Sequence, residues 1–182
     1  YRSDAQRVQD VLEKRLKRFG LTLEPSKAKL VEFGRFAQRH AQRRGRKRPE
    51  TIYFLGFTLY CTRNRQGHYR VGLRTEKSRL CRSLANLRDM MRRMCHLSIR
   101  EQVINLNKVL RGHYAYYGIA GNFRALQRVY RAVEGYWRKM LCRRSRKGGV
   151  SWEGFHRIKQ QFPLQRPKLL LPYPKLQRLA VL

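Results

Sequence analysis

Few side chains in this sequence could make or break bonds. Its 182 residues include only three aspartates, Asp4, Asp10 and Asp89. Two-metal phosphoryl transfer needs carboxylates held close together, and no Asp-Asp pair follows a strand-like run. Asp10 and Glu13 share a helical face, but Lys14 and Lys17 follow at once, the pattern of a solvated, ion-paired surface. Cys61, Cys81, Cys95 and Cys142 are widely spaced, with no C-x-x-C and no paired histidines, which reads as a reduced, metal-free, intracellular protein. No nucleophilic triad and no phosphate-cradling glycine loop is visible. Taken alone, the sequence holds no complete catalytic site.

Cations and rings are abundant instead. There are 43 Lys and Arg against 11 Asp and Glu, a formal charge of +32. A self-repelling cation of this size calls for a polyanionic partner, and nucleic acid is the first expectation because its phosphates exchange condensed counterions for Lys and Arg. Aromatic residues interleave with the basic ones, most densely in VLRGHYAYYGIAGNF from Val109 to Phe123. Such rings can stack on splayed bases or close a core. No apolar run approaches the ~20 residues of a spanning helix; the longest, LLLPYP, is cut by prolines. The polar start YRSDAQR carries no signal peptide and no initiator Met, as expected of a piece of a longer chain.

These residues must be positioned by an α+β framework. Ala5, Val8, Leu12, Leu16 and Phe19 predict an amphipathic helix over 3–19, capped by Ser3 or Asp4 and stopped by Gly20. LTLEP and KLVEF read as short strands about a turn at 24–26. Residues 35–48, with seven basic residues and no acid, read as a linker or loop. TIYFLGFTLY and HYRVGLRT are β-rich runs, with hairpin chemistry at Asn64–Gly67 between them. From Glu76 the period becomes helical. Leu80, Leu84, Leu87, Met91 and Met94 mark one helix. A capping box from Ser98 to Glu101 opens a second, and Leu126, Val129, Tyr130, Val133, Trp137 and Leu141 mark a third over about 123–142. A short helix near 151–161 precedes a Pro-rich tail. The expected division is 1–74 with β structure, 75–145 as a three-helix bundle, and 146–182 as a basic extension.

The order of segments is more specific than any one of them. GLTLEPSKAKLVEFGRF, PETIYFLGFTLY, LSIREQ, LRGHYAYYGIAGNFRAL, RRSRKGGVSWEGF and RPKLLLPYP together resemble the C-terminal part of a bacterial group II intron-encoded reverse transcriptase/maturase. The resemblance implies a fold in which residues 1–74 end a right-hand polymerase palm and residues 75–145 form the all-α thumb, or domain X. It implies intron RNA and an RNA template with its DNA primer as partners, and dNTPs reached through an upstream palm. It further implies roles in splicing, RNA-directed DNA synthesis and intron mobility, in a bacterial cytoplasmic ribonucleoprotein. The family's Tyr-x-Asp-Asp motif, with its two Mg2+ ions, would lie upstream of Tyr1. The resemblance is to family members with no endonuclease domain after the RPKLLLPYP tail, and none is expected.

The resemblance also implies roles for residues. Lys27 matches the lysine of an Glu-Lys-Thr-like motif; as a phosphate contact or general acid it is the sole catalytic candidate, and a surface lysine is the alternative. Ala28 stands where the family has Thr. Phe54, Leu55, Gly56 and Phe57 match the primer grip, where a glycine without Cβ admits a primer backbone; a bulge glycine is the alternative. RNA contacts are expected from Arg63, Arg65, Arg79, Arg82, Arg111, His113, Tyr116, Asn122, Arg124, Arg143 and Arg144. Helical register assigns Tyr114 and Tyr117 to the core stripe. It sets Arg111, Ala115 and Gly118 on a line open to an RNA backbone, flanked by His113 and Tyr116. A binding-only splicing factor sharing the thumb is the alternative function. A ribosomal-type basic protein would explain the charge but not the order of motifs.

Overall fold

The computed structural model describes residues 2–24, 26, 28–144 and 149–179; Lys27 lies outside them. The fold is α+β, in two compact units: Tyr1–Ile52 with Tyr60–Val71, and Tyr53–Leu59 with Gly72–Leu182.

In the first unit, α1 spans Arg2–Arg18. It ends where Gly20 (φ +68°) lets the Leu21 amide reach the Leu16 carbonyl at 3.0 Å and the Gly20 amide reach Lys17 at 3.2 Å, the paired bonds of a Schellman stop. Ser3 and Asp4 lie inside the first turn of this helix rather than capping it. The strands expected over 21–33 do not form among the described residues: they make no ladder, and the Ala28 amide bonds back to the Glu24 carbonyl at 3.1 Å, as in a turn. Residues 35–48 are not a plain loop. Ala37–Arg43 form α2, because Ala37 and Ala41, one helical turn apart, bury a narrow apolar face beneath the arginines. Among the described residues no helix is long and apolar enough to cross a membrane.

Three strands follow in the order β1-β2-β3: β1 Ile52–Phe54, β2 Phe57–Arg63 and β3 Tyr69–Thr75. The β2–β3 turn has the expected chemistry, since the Asn64 side-chain oxygen accepts from the amides of Gln66 (3.0 Å) and His68 (2.8 Å). The run TIYFLGFTLY is not one strand. It folds back at Leu55-Gly56, both with positive φ (+46° and +75°), the backbone of a two-residue hairpin.

The second unit is built on α3 Lys77–Arg93, α4 Ile99–Tyr117, α5 Phe123–Cys142, α6 Trp152–Gln161 and α7 Tyr173–Leu179. The capping box is present: the Glu101 amide donates to Ser98 Oγ (3.3 Å) and the Ser98 amide to Glu101 Oε2 (2.9 Å). The Ser98 hydroxyl, which donates to Glu101 Oε2 at 2.7 Å, and the Ser98 amide hold the Glu101 carboxyl below its usual pKa. Leu106, Leu110, Leu126, Val129, Val133 and Phe155 are fully buried in one core, joined by Trp137 and, from the tail, Leu164. Each such side chain contributes about 1.5–3 kcal/mol through removal from water.

A polar node sits inside this core. Gln102 donates to the carbonyls of Met94 and Leu97, both at 3.1 Å, and accepts from the Trp137 indole at 2.9 Å. It thereby ties the α3–α4 connection to α5. The tail is fastened as well. Asn107 donates to the Pro163 carbonyl (3.0 Å) and accepts from the Gln165 amide (2.7 Å). Between α5 and α6, Lys159 reaches Glu134 at 2.7 Å with both side chains about one-fifth exposed.

Candidate nucleic-acid interface

The end of α4 and the hairpin residues Tyr53–Leu59, all in the second unit, form one aromatic construction. Phe57 is buried. The Tyr116 ring stacks on it (centroids 5.9 Å apart, planes 11° apart), and Tyr117 meets it edge-on at 5.3 Å. The Tyr116 hydroxyl donates to the Leu55 carbonyl (2.8 Å), and the Glu76 amide to the Gly56 carbonyl (2.9 Å). The tip of the hairpin is therefore held both by α4 and by the residue that opens α3. These two bonds compensate a costly feature, since a leucine at positive φ costs about 1–2 kcal/mol.

What the tip presents is apolar and aromatic. Tyr53, Phe54 and Leu55 are 69%, 61% and 66% exposed, unusual values for three consecutive large apolar side chains. Tyr53 was not among the expected contacts. Reading Leu55-Gly56 as a two-residue turn would have placed it, with Phe54, in the strand leading to the tip. Gly56 is needed for its own reasons: its φ is positive, and a Cβ there would lie 3.1 Å from Tyr117 Oη and 3.7 Å from Arg79 Cγ. Its missing side chain is thus explained inside the protein. The same distances bring Arg79 beside the tip.

The other expected contacts divide. Arg82 on α3, Arg111 on α4, Arg124 on α5, and Arg143 and Arg144 after α5 are all exposed. Arg111 bonds only back to its own helix among the contacts described, Nε to the Asn107 carbonyl at 3.3 Å. Arg63 and Arg65, also exposed, border the β2–β3 turn in the first unit.

Three expectations are corrected. Asn122 is 1% exposed; its side-chain oxygen accepts from the Thr75 amide at 2.7 Å and its nitrogen donates to the Tyr117 carbonyl at 2.9 Å, so it locks β3 to the end of α4 and has no surface for RNA. His113 is half-buried with its ring 4.8 Å from that of Tyr117, and Nε2 is buried without a partner. Burial holds its pKa below the usual value, and the imidazole faces the aromatic cluster rather than solvent. Gly118 does not leave a groove for an RNA backbone: the tail occupies it. The amides of Leu170 (2.7 Å) and Leu171 (3.0 Å) donate to the Gly118 carbonyl, and the Ala120 amide to Leu171 (2.8 Å). A Cβ on Gly118 would fall 2.2 Å from the Tyr114 carbonyl. Tyr114 is buried and Tyr117 half-buried, as helical register predicts.

Chemically, exposed guanidinium groups suit phosphates, and an exposed aromatic tip suits sugars or bases. Residues 81–160 match the family model described as group II intron, maturase-specific domain. The matched span runs from α3 through most of α6 and includes Arg82, Arg111, Tyr116, Arg124, Arg143 and Arg144. No curated protein and no solved structure matched the chain.

Proposed function

We propose that this chain, whose residues 81–160 match the group II intron maturase-specific domain model, binds intron RNA through its exposed arginines and promotes splicing as the C-terminal portion of a reverse transcriptase/maturase. In this reading the helical unit is the thumb. The β1–β2 tip, with Phe54, Leu55 and Gly56 over buried Phe57, contacts the template–primer duplex, and Arg79 reaches a phosphate beside it. The protein would then serve RNA-directed DNA synthesis and intron mobility within a cytoplasmic ribonucleoprotein. The observation that carries the reading is the family match over the helical core, joined to a charge of +32.

Polymerization and its Mg2+ ions belong, in this reading, to residues outside the chain, where dNTPs would also bind. Among the described residues no three His, Cys, Asp or Glu side chains converge on a common point, so they do not fit a two-metal centre. The alternative, a binding-only splicing factor, shares every surface feature and differs in lacking polymerase activity upstream.

Binding of a folded intron RNA transcript, titrated across salt, tests the proposal. The expected result is a steep fall in affinity with salt, weakened by Arg111→Ala with no change in Tm, and no primer extension by this chain alone. Salt-independent binding, or none, overturns RNA recognition. Mg2+-dependent DNA synthesis by this chain alone overturns the assignment of catalysis elsewhere.

A further inference from the structure

Beyond the ends of α3 and α5 lies a cavity of about 630 Å³ lined by Arg92, Cys95, His96, Met140, Arg143 and Arg144. No carboxylate is among these lining residues. Two carboxylates border it: Asp89, whose oxygen is 3.5 Å from Arg92 on the surface of α3, and Glu101, whose charge interacts with His96; Arg144 donates to the Leu97 carbonyl. Arginines at helix ends can be explained by the negative pole of the helix dipole. That accounts for each of them on its own helix, but not for three guanidinium groups and an imidazole around one depression.

Like charges gathered in a concave site raise the local potential and attract an anion. Arginine's planar fork suits phosphate oxygens. The opening is larger than a lone phosphate needs, and Met140 and the Cys95 thiol give it an apolar side. We infer that this cleft seats a phosphodiester of the bound RNA, with the adjoining sugar against Met140. Arg92 and His96, which the sequence pattern did not single out, join Arg143 and Arg144 as its contacts. The inference rests on the RNA-binding reading and names one subsite within it.

Cys95 supplies a reporter inside the cleft. Its thiol is exposed, so its alkylation can be followed in the wild type and in a variant of the cleft. The experiment uses the whole chain and a folded intron RNA transcript. It compares the wild type with the Arg92→Gln, Arg143→Gln double variant, after equal Tm values establish that both are folded. The dependence of log Kd on log salt should fall in slope by about one for each arginine removed. In the wild type, saturating RNA should slow alkylation of Cys95, and in the double variant that protection should be lost. An unchanged salt slope in the double variant, or Cys95 protection equal in both proteins, overturns the cleft while leaving RNA binding elsewhere intact. Failure of the wild type to bind the transcript at any salt overturns both readings.

Discussion

The Tyr116 hydroxyl donates to the Leu55 carbonyl across 2.8 Å, joining the end of a helix to a hairpin tip 61 residues earlier in the chain. This bond holds a leucine in a backbone conformation that leucine resists. Tyr116→Phe keeps the stack on Phe57 and removes only the hydroxyl. We expect a loss of about 0.5–1.5 kcal/mol, read by urea denaturation, and faster amide exchange at Leu55 and Gly56. Unchanged exchange there would show that the tip is held by other contacts.

Gly118 is required by space rather than by φ. Its own φ is −76°, yet an added Cβ would overlap the Tyr114 carbonyl and crowd Lys168. Gly118→Ala should destabilise the second unit by ~1–3 kcal/mol, at the upper end of that range, and expose residues 168–171 to protease. Gly112, where a Cβ would meet nothing within 4 Å, is the control, and Gly112→Ala should be neutral or stabilising.

Gln102 is 2% exposed and serves four partners, the carbonyls of Met94, Cys95 and Leu97 and the Trp137 indole. The Met94 carbonyl also accepts from the Leu97 amide and the Leu97 carbonyl from Arg144. Gln102→Leu therefore preserves bulk but strands chiefly the Trp137 indole N–H, at about 1–3 kcal/mol for that buried orphan. Trp137→Phe removes it. The double variant should therefore be more stable than the sum of single losses implies. Strict additivity in a double-mutant cycle would deny the coupling.

His113 makes a pH prediction. Its folded pKa lies below the usual 6.5 because burial penalises the imidazolium. As pH falls through 6.5 the unfolded chain takes up this proton before the folded chain does. Stability from His113 is thus fully present above that pH and declines as pH drops toward the lowered folded value. The carboxyls held below 4.5, Glu32, Glu50 and Glu101, lose their contribution only at lower pH. Between 6.5 and 4.5, the pH dependence of stability should be shallower for His113→Gln than for the wild type. Identical slopes would place the imidazole in water.

The helical unit was legible because its signals are local. Leu87, Met91 and Leu106 recur at helical spacing, and Ser98 with Glu101 announces the second helix. The misread places depend on distant partners or on weak side chains. α2 hides among arginines because its buried residues, Ala37 and Ala41, carry little hydrophobic signal. Asn122 resembles a turn residue open to solvent until Thr75, 47 positions away, comes to meet it. Gly118 reads as a gap along the helix until the tail fills it. Leu55 inverts its own propensity, and only the hydroxyl of Tyr116 and the glycine after it make that turn tolerable. The tip is thus legible as a motif in the sequence, and its turn is not.

The clasp at Gly118 also fixes an order of events during synthesis. Its partners, Leu170 and Leu171, are translated 52 and 53 positions later (170 − 118 and 171 − 118). At roughly 5–20 residues per second, α4 leaves the ribosome about 3–10 s before its end can be closed. During that interval the Gly118 carbonyl and the Ala120 amide must bond to water, and a nascent chain stalled before Leu170 would carry the core helices with their junction unsealed.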